Sequence, residues 1–314
     1  MADARLKEVI MALLQFRRKE EPGAGNAALA KLLRGASIEV MPRTAAKVAD
    51  FRALLPEGTR ICIAHIEGTP IGEMVATAAR LRAEGFAPMP HFPARLIRDR
   101  ATLEDWIARY RGEADVREAL VLAGGRGAPL GDFSDSMQLL DTGLFDDFAR
   151  LHVAGHPEGN RDIDADGGDA RVMEALRWKQ EFAESYAGEM AIVTQFAFEA
   201  APVIEWAERL AERGFTLPVH LGVAGPARLQ TLIRFAIACG VGPSLKVLQK
   251  RAMDVTRLLK PYAPTEFLSE IAAHVAAHPD CLIERVHFFP LGGIAASADW
   301  LNQHRGERAA ATQE

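Results

Sequence analysis

The sequence predicts an α/β fold of the (β/α)₈ barrel class, and three observations support this prediction. Eight short apolar runs recur along the chain, helical patterns separate them, and the repeating part spans roughly 250 residues, the usual size of such a barrel. The alternation of strand and helix favours parallel strands joined by right-handed crossovers. A doubly wound open sheet is the competing architecture, but it usually has fewer strands. We expect one domain over residues 1–314, with its core at about 37–303.

The predicted strands are short apolar runs bounded by turn-forming residues. Amphipathic segments with helix-stop glycines predict helices between them. In chain order the strands are Ser37–Met41, Arg60–His65, Ala87–Phe92, Ala119–Ala123, Leu151–Gly155, Met190–Phe196, Leu217–Val223 and Ile283–Phe289. The intervening helices are Ile71–Gly85, Leu103–Gly112, Val172–Tyr186 and Val203–Gly214.

Two additions to the basic barrel are expected. A charged segment with helical periodicity, Asp3–Phe16, predicts an extra helix before the first strand. The stretch between the seventh and eighth strands is too long for one helix, and we predict three there: Ala227–Cys239, Ser244–Leu259 and Pro264–Ala277. The polar segment Arg305–Glu314 is expected to fray.

Composition excludes several functional classes. The chain is 49% hydrophobic and 25% charged with a net charge of -5, and no basic stripe indicates a nucleic-acid surface. It contains no signal-peptide pattern and no apolar run of about 18 residues that could span a membrane. Cys62, Cys239 and Cys281 lie far apart in the sequence with no CxxC spacing, so we expect them to be reduced, mostly buried thiols. We expect a soluble, cytoplasmic protein with small-molecule substrates and no nucleic-acid or membrane partner; a homo-oligomer is left open.

Three motifs match a known binding-site pattern only in part. Gly124–Gly127 follows a predicted strand but lacks the G-x-G-x-x-G spacing, so it indicates close approach of the backbone to something flat or anionic. The acidic run Asp162–Gly167 resembles the start of a calcium loop, but Met173 stands at the twelfth position, which favours a solvated loop. Histidines near strand ends lack the spacing of known metal motifs, which leaves a metal-dependent hydrolase as a less favoured alternative.

Two polar residues interrupt apolar strands near the end where barrel sites form. Alternation directs Glu39 into the barrel, where burial should raise its pKa and suit a general acid; a carboxylate held by an internal Arg or Lys is the alternative. Gln195 offers both a donor and an acceptor to the edge of a heterocycle. Its neighbours Phe196 and Phe198 are expected in the core rather than as a stacking surface.

Together these segments resemble the methylenetetrahydrofolate reductase family, a flavin-dependent (β/α)₈ barrel, over roughly Ser37 to Trp300. The resemblance implies that FAD takes a hydride from NADH or NADPH and passes it to the methylene bridge of 5,10-methylenetetrahydrofolate. The product is 5-methyltetrahydrofolate, the kinetics are ping-pong, and the reaction can run in reverse. The segments that carry the resemblance are Ser37–Pro42, Pro90–His91, His156–Gly159, Thr194–Phe196, Gly222–Pro226 and His287–Phe288.

The resemblance also implies roles for individual residues. Glu39 matches the general acid, and Gln195 matches the residue that holds the pterin and the nicotinamide in turn. Arg126 stands where the family has an Asp near flavin and substrate, and Leu229 where an aromatic residue can hold the nicotinamide cofactor. A flavin-free reductase and a non-catalytic folate-binding protein remain alternatives. The positions that match FAD contacts are His65, His91, Gly124, Gly125, His156, Asn160 and Lys179, of which His156 and Asn160 replace the family's Tyr and His.

Overall fold

The structure is a computed structural model that describes residues 24–238, 245, 247–249 and 261–305. The predicted helix Asp3–Phe16 lies outside the described residues, as do most of the predicted helix Ser244–Leu259 and the chain beyond Arg305. The fold and the site are therefore built from the remaining elements.

Eight parallel strands close into a barrel in chain order, with β1 pairing with both β2 and β8, as the sequence predicts. Every predicted strand is confirmed, with its ends within two residues of the prediction. Because all strands run in one direction, their carboxyl ends meet at one rim of the barrel. The strands are β1 (Ser37–Val40), β2 (Arg60–Ile63), β3 (Ala87–Pro93), β4 (Glu118–Leu122), β5 (Arg150–Gly155), β6 (Glu189–Ala197), β7 (Val219–Ala224) and β8 (Ile283–Phe289).

The predicted helices that fall within the described residues are present on the outside of the barrel. Helix Ala24–Leu32, which was not predicted from the sequence, packs against helix Thr265–Ala277. Within the described residues no helix is long and apolar enough to cross a membrane. The helices are Ala24–Leu32, Pro42–Ala45, Ile71–Ala83, Arg100–Ala114, Ser136–Leu140, Ala170–Ser185, Ala200–Glu212, Leu229–Ala238, Thr265–Ala277 and Ile294–His304, with 3₁₀ turns at Phe51–Ala53 and Ala94–Leu96.

Strand alternation directs the buried side chains of the sheet towards its two faces. Outward residues such as Ile38 and Ile61 join the large apolar cluster between sheet and helices. Inward residues form a second, smaller apolar cluster in which side chains of non-adjacent strands meet inside the barrel. This inner cluster consists of Cys62, Met89, Leu120 and Val193, with Leu122 partly buried against it.

Ion pairs close the amino-terminal end of the barrel. The Arg60 guanidinium binds Glu118 through two contacts, Nε to Oε2 at 2.5 Å and Nη2 to Oε1 at 3.0 Å. Arg150 pairs with Glu189 and lies 4.0 Å from the same Glu118 carboxylate. Each of these four residues begins its strand, so this charged floor lies opposite the rim where a ligand would bind.

Candidate active site at the carboxyl-end rim

Glu39 lies between two histidines that are distant from it in sequence. Its Oε2 atom is 3.4 Å from Nε2 of His91 on β3 and 3.9 Å from Nε2 of His287 on β8. The Nδ1 atom of His287 is 2.8 Å from the Ser37 hydroxyl, which can donate to it. That arrangement favours the tautomer with its proton on Nε2, facing Glu39. The strands thus bring a carboxylate and two imidazoles together inside the barrel mouth.

The predicted rise in the Glu39 pKa is wrong, because the structure lowers it. Burial by itself raises the pKa, but the His287 and His91 rings outweigh it by stabilising the carboxylate. The alternative of an internal Arg or Lys partner is also replaced, since imidazoles take that place. Burial lowers the pKa of His91 to about 4 despite the nearby Glu39 charge. At neutral pH the free protein therefore holds an ionised Glu39 beside a neutral His91.

A β-bulge in β6 positions Gln195. The pairing of β6 with β7 shifts register around Thr194 and Gln195. The Thr194 hydroxyl accepts a hydrogen bond from the Gly222 amide at 2.8 Å and donates to the Gln195 carbonyl at 2.8 Å. A Cβ atom on Gly222 would lie 2.2 Å from the Thr194 carbonyl oxygen, so the bulge requires glycine there. The Gln195 side chain hydrogen-bonds His156, which ties it to the end of β5.

His65 and His156 each have a buried ring nitrogen that bonds to nothing in the described structure. His65 donates from Nε2 to the Thr69 carbonyl at 3.0 Å and packs on Trp106 at a centroid distance of 4.8 Å, which leaves Nδ1 unpaired. His156 has its Nδ1 unpaired in the same way. Burial lowers the pKa of both rings, that of His156 to about 4. Each of these two neutral imidazoles at the rim therefore has an Nδ1 atom that can form a hydrogen bond with a ligand.

Lys179 is a buried cation next to His156. Its side chain extends from helix Ala170–Ser185, and the residue is 6% exposed. Burial lowers the Lys179 pKa to about 8, although the nearby Asp135 charge opposes this. A buried ammonium is a suitable partner for an anionic group on a ligand.

The loop after β4 contains the glycines that the sequence predicts to let the backbone approach a ligand closely. Gly124 has φ +91, and a Cβ atom there would lie 3.0 Å from Pro93. Gly125 instead faces open space, where a ligand could lie against the backbone.

Asn160, beyond β5, uses its Oδ1 atom to accept a hydrogen bond from the Asp162 amide at 2.9 Å and so stabilises its own loop. Contact of Asn160 and these glycines with a cofactor stays a prediction.

Arg126 does not stand as a free cation near the site. Its Nη1 atom pairs with Glu67 of the loop after β2, and its Nε atom donates to the Ala128 carbonyl at 2.7 Å. The pair joins the loops on either side of β3, the strand that carries His91. Arg126 places a positive charge where the family that the sequence resembles has an Asp, and the Glu67 carboxylate offsets that charge.

Leu229 is 5% exposed and packs in an apolar cluster at the carboxyl ends of β6 and β7. Packing alone accounts for this side chain, and contact with a ligand stays a prediction. Phe196 and Phe198 are buried in the same cluster, which confirms that they belong to the core.

The acidic run Asp162–Gly167 is part of a structural cap. Asp164 is 5% exposed and accepts hydrogen bonds from the Arg171 and Val172 amides, both at 3.0 Å, at the start of helix Ala170–Ser185. Among the residues that the structure describes, no group of three or more His, Cys, Asp or Glu side chains is arranged to hold a metal ion.

Sequence reasoning omitted His287 from the candidate site, although it belongs to one of the segments that carry the family resemblance. Its signal was alternation within β8, which directs Arg285, His287 and Phe289 to one face. Its contact with Glu39 depends on closure of the barrel between β8 and β1.

Comparison with known proteins supports the fold. No protein-family model matches the chain. A solved structure of an uncharacterized protein from Clostridium thermocellum, described as binding two copies of 5-methyl-5,6,7,8-tetrahydrofolic acid, is similar with a TM-score of 0.56 at 11% identity, over 88% of this chain and 98% of that chain. A D-hydantoinase structure gives a TM-score of 0.34 at 11% identity, over 78% of this chain and 57% of that one, which is too low to carry an argument. The first likeness shows the barrel fold, and the ligand must be argued from the site.

Proposed function

We propose that this chain binds a reduced folate at the carboxyl-end rim and interconverts 5,10-methylenetetrahydrofolate and 5-methyltetrahydrofolate. The observation that carries the proposal is the Glu39 carboxylate between His91 and His287 inside the barrel mouth. The similar barrel from Clostridium thermocellum, which binds 5-methyltetrahydrofolate, supports the ligand class. The family resemblance of the sequence supports the reaction.

Glu39 would move the proton that the reaction requires. Opening the methylene bridge to an iminium requires a proton on the departing nitrogen, and closing it releases that proton. Glu39 is ionised in the free protein, so it must take up a proton before the bridge opens. A pterin ring lying over the mouth would exclude water from Glu39 and strengthen the burial effect that raises its pKa. Substrate binding itself therefore favours the protonated acid.

Gln195 would orient the pterin. Its side chain is held by the hydrogen bond to His156 and by the β6 bulge, so it loses little freedom when a ligand arrives. An amide presents a donor and an acceptor, which matches the paired donor and acceptor groups on the edge of a pterin.

The rim also suits FAD, with NADH or NADPH as the hydride source. The unpaired Nδ1 atoms of His65 and His156 and the buried ammonium of Lys179 could bind a ligand that carries polar and anionic groups. Gly125 leaves open space for such a ligand to lie against the backbone. When bound, FAD supplies temporary storage of the hydride between nicotinamide and folate.

Three measurements on the purified protein test this proposal. We expect calorimetric binding of 5-methyltetrahydrofolate, flavin absorbance as purified or after addition of FAD, and oxidation of NADH or NADPH. Glu39→Gln should lose the folate half-reaction while retaining transfer from nicotinamide to flavin. Equal loss of both half-reactions would contradict the role of Glu39. Leu103→Met, a volume-conserving change in the apolar cluster outside the barrel, is the control and should retain both half-reactions.

A second candidate is a barrel that binds folate without flavin chemistry. The lowered pKa of Glu39 favours it, because an ionised carboxylate is a poor acid for opening the bridge. Such a protein would bind 5-methyltetrahydrofolate, remain colourless with added FAD, and never oxidise NADH or NADPH. Turnover by a colourless protein would instead indicate direct hydride transfer from nicotinamide to folate.

A further inference from the structure

Three histidines are buried inside the barrel beneath Glu39. His152 on β5, His220 on β7 and His287 on β8 are each 1% exposed. The rings of His152 and His220 meet edge to face at a centroid distance of 4.5 Å. His287 pairs in register with Ser37 of β1 on one side and Gly222 of β7 on the other, two residues beyond His220. The three rings therefore occupy one side of the barrel interior.

These rings leave several nitrogens without a hydrogen-bond partner in the described structure. Both nitrogens of His152 are unpaired, and Nε2 of His220 and Nε2 of His287 make no direct hydrogen bond, although each faces a carboxylate. Leaving one buried polar group unsatisfied costs about 1–3 kcal/mol, so native proteins usually satisfy such groups with ordered water. The two unpaired nitrogens of His152 in particular favour ordered water in the barrel interior.

The histidines extend towards opposite ends of the barrel. At the rim, His287 faces Glu39 with its Nε2 atom and contacts the Ser37 hydroxyl with its Nδ1 atom. At the amino-terminal end, Nε2 of His220 is 3.5 Å from Oε2 of Glu284, a residue whose side chain is 45% exposed. Groups that can exchange protons therefore lie at the rim, in the interior and beside solvent at the other end.

Burial and the charges around His220 and His152 keep these two imidazoles neutral. Burial lowers the pKa of His220 well below its usual value, and Arg60, Arg285 and Arg150 lower it further, as does the His287 ring. The Glu284 carboxylate is the opposing charge. Burial also lowers the pKa of His152, and the charges of His220, Arg60 and Arg150 add to this effect. A neutral imidazole has one donor and one acceptor nitrogen, so it can accept a proton at one nitrogen and release another from the other.

We propose that water held between His152, His220 and Ser37 connects Glu39 with solvent at the amino-terminal end of the barrel, and that Glu39 regains its proton by this route. This inference rests on the proposed function, in which bound folate covers the rim. After Glu39 gives its proton to the folate nitrogen, it takes the Nε2 proton of His287. The Ser37 hydroxyl restores a proton at Nδ1 of His287, and interior water restores Ser37. One proton then enters near Glu284 for each proton delivered to folate, and the His287 ring is left with its proton on Nδ1. Before the next cycle Nδ1 returns a proton to Ser37 and Ser37 returns one to interior water, while water donates one proton to Nε2, so this reset moves no net proton.

Ser37→Ala is the variant that interrupts the route without touching Glu39. Ser297→Ala is the matched control, because Ser297 is equally buried but lies on helix Ile294–His304, outside the barrel interior. The measurement is a pH jump on protein saturated with 5-methyltetrahydrofolate, which follows the infrared carbonyl band of protonated Glu39. Absence of that band in Glu39→Gln assigns it.

We expect Ser37→Ala to slow protonation of Glu39 by about tenfold or more, while Ser297→Ala retains the wild-type rate. Affinity for 5-methyltetrahydrofolate and the final amplitude should remain unchanged in both. An unchanged rate in Ser37→Ala, or equal slowing in both variants, overturns the route. His220→Gln tests its lower half, since an amide fills the space of the ring but does not exchange tautomers; it too should slow the rate.

A high-resolution crystal structure of the wild-type protein provides a test that does not depend on folate. It should show ordered water within hydrogen-bond distance of His152. A dry interior would overturn the route even if folate binds, whereas failure to bind folate with water present would refute only the proposed function.

Discussion

Substituting alanine for Gly222 should both destabilise the fold and weaken the candidate site. The added Cβ atom would lie 2.2 Å from the Thr194 carbonyl oxygen and 2.6 Å from that of Gln195. Both are backbone atoms, so no flexible side chain can move aside. To restore ordinary contact, β6 and β7 must separate at the bulge by about 1 Å.

The size of the effect follows from two losses. Overpacking of a close-packed interior costs about 1–3 kcal/mol. Separation of the strands also strains the bond from the Gly222 amide to the Thr194 hydroxyl, which contributes about 1 kcal/mol. We therefore expect the free energy of unfolding to fall by about 2–4 kcal/mol. Since Thr194 also holds the Gln195 carbonyl, the bulge that positions Gln195 is disturbed as well.

Urea denaturation of Gly222→Ala and of a matched control, Gly125→Ala, measures this effect. Gly125 also lies beyond a strand at the rim, but its Cβ would face open space, so its free energy of unfolding should change by less than about 0.5 kcal/mol. For folate binding, Gly222→Ala should lose affinity through Gln195. A loss of stability below about 0.5 kcal/mol in Gly222→Ala would refute the close-approach argument.

Three further perturbations probe the floor, the cap and the buried imidazole. Asp164→Ala should lower the free energy of unfolding by about 1–2 kcal/mol in urea, because two helix-start amides lose their acceptor; Asp164→Asn, which retains one oxygen, should lose less. Glu118→Gln should lower it by about 3 kcal/mol by leaving Arg60 partly buried and unpaired, and a smaller loss in the double variant with Arg60→Met would confirm the pairing. For His91 the unfolded chain takes up a proton below pH 6.5 and the folded protein only near pH 4. Stability should therefore fall over that range by up to about 3 kcal/mol, and His91→Gln should flatten the slope in urea titrations at each pH.

The strands were predictable because their signal is local. Alternation and turn residues within each apolar run specify β1 to β8, and the number of runs specifies the barrel. The helix over Ser136–Leu140 was missed because five residues do not establish a helical period, and its capping box from Asp135 and Gln138 was not recognised. Short elements depend on such capping bonds more than on hydrophobic pattern.

The electrostatics of the site were not predictable from local pattern. Alternation placed Glu39 inside the barrel correctly, but the sign of its pKa shift depends on His91 and His287, which lie 52 and 248 positions away in the chain. The bulge in β6 was likewise hidden, because it depends on a hydrogen bond from Gly222 to a hydroxyl 28 residues earlier. Burial can be predicted from one strand, whereas the partner of a buried charge comes from the neighbouring strands.

The barrel interior is divided in a way that matches the proposed chemistry. Barrels of this class usually fill their interior with layers of branched apolar side chains, and here β2, β3, β4 and β6 contribute a small apolar cluster. Strands β5, β7 and β8 instead contribute His152, His220 and His287, and Ser37 lies two residues before Glu39 on β1 itself. Aliphatic residues there would avoid the cost of unpaired nitrogens, about 1–3 kcal/mol each. Departures from good packing are expected where function requires them, and these lie directly beneath the residue that we expect to transfer the proton. The polar side of the interior is therefore better explained as part of the site than as part of the core.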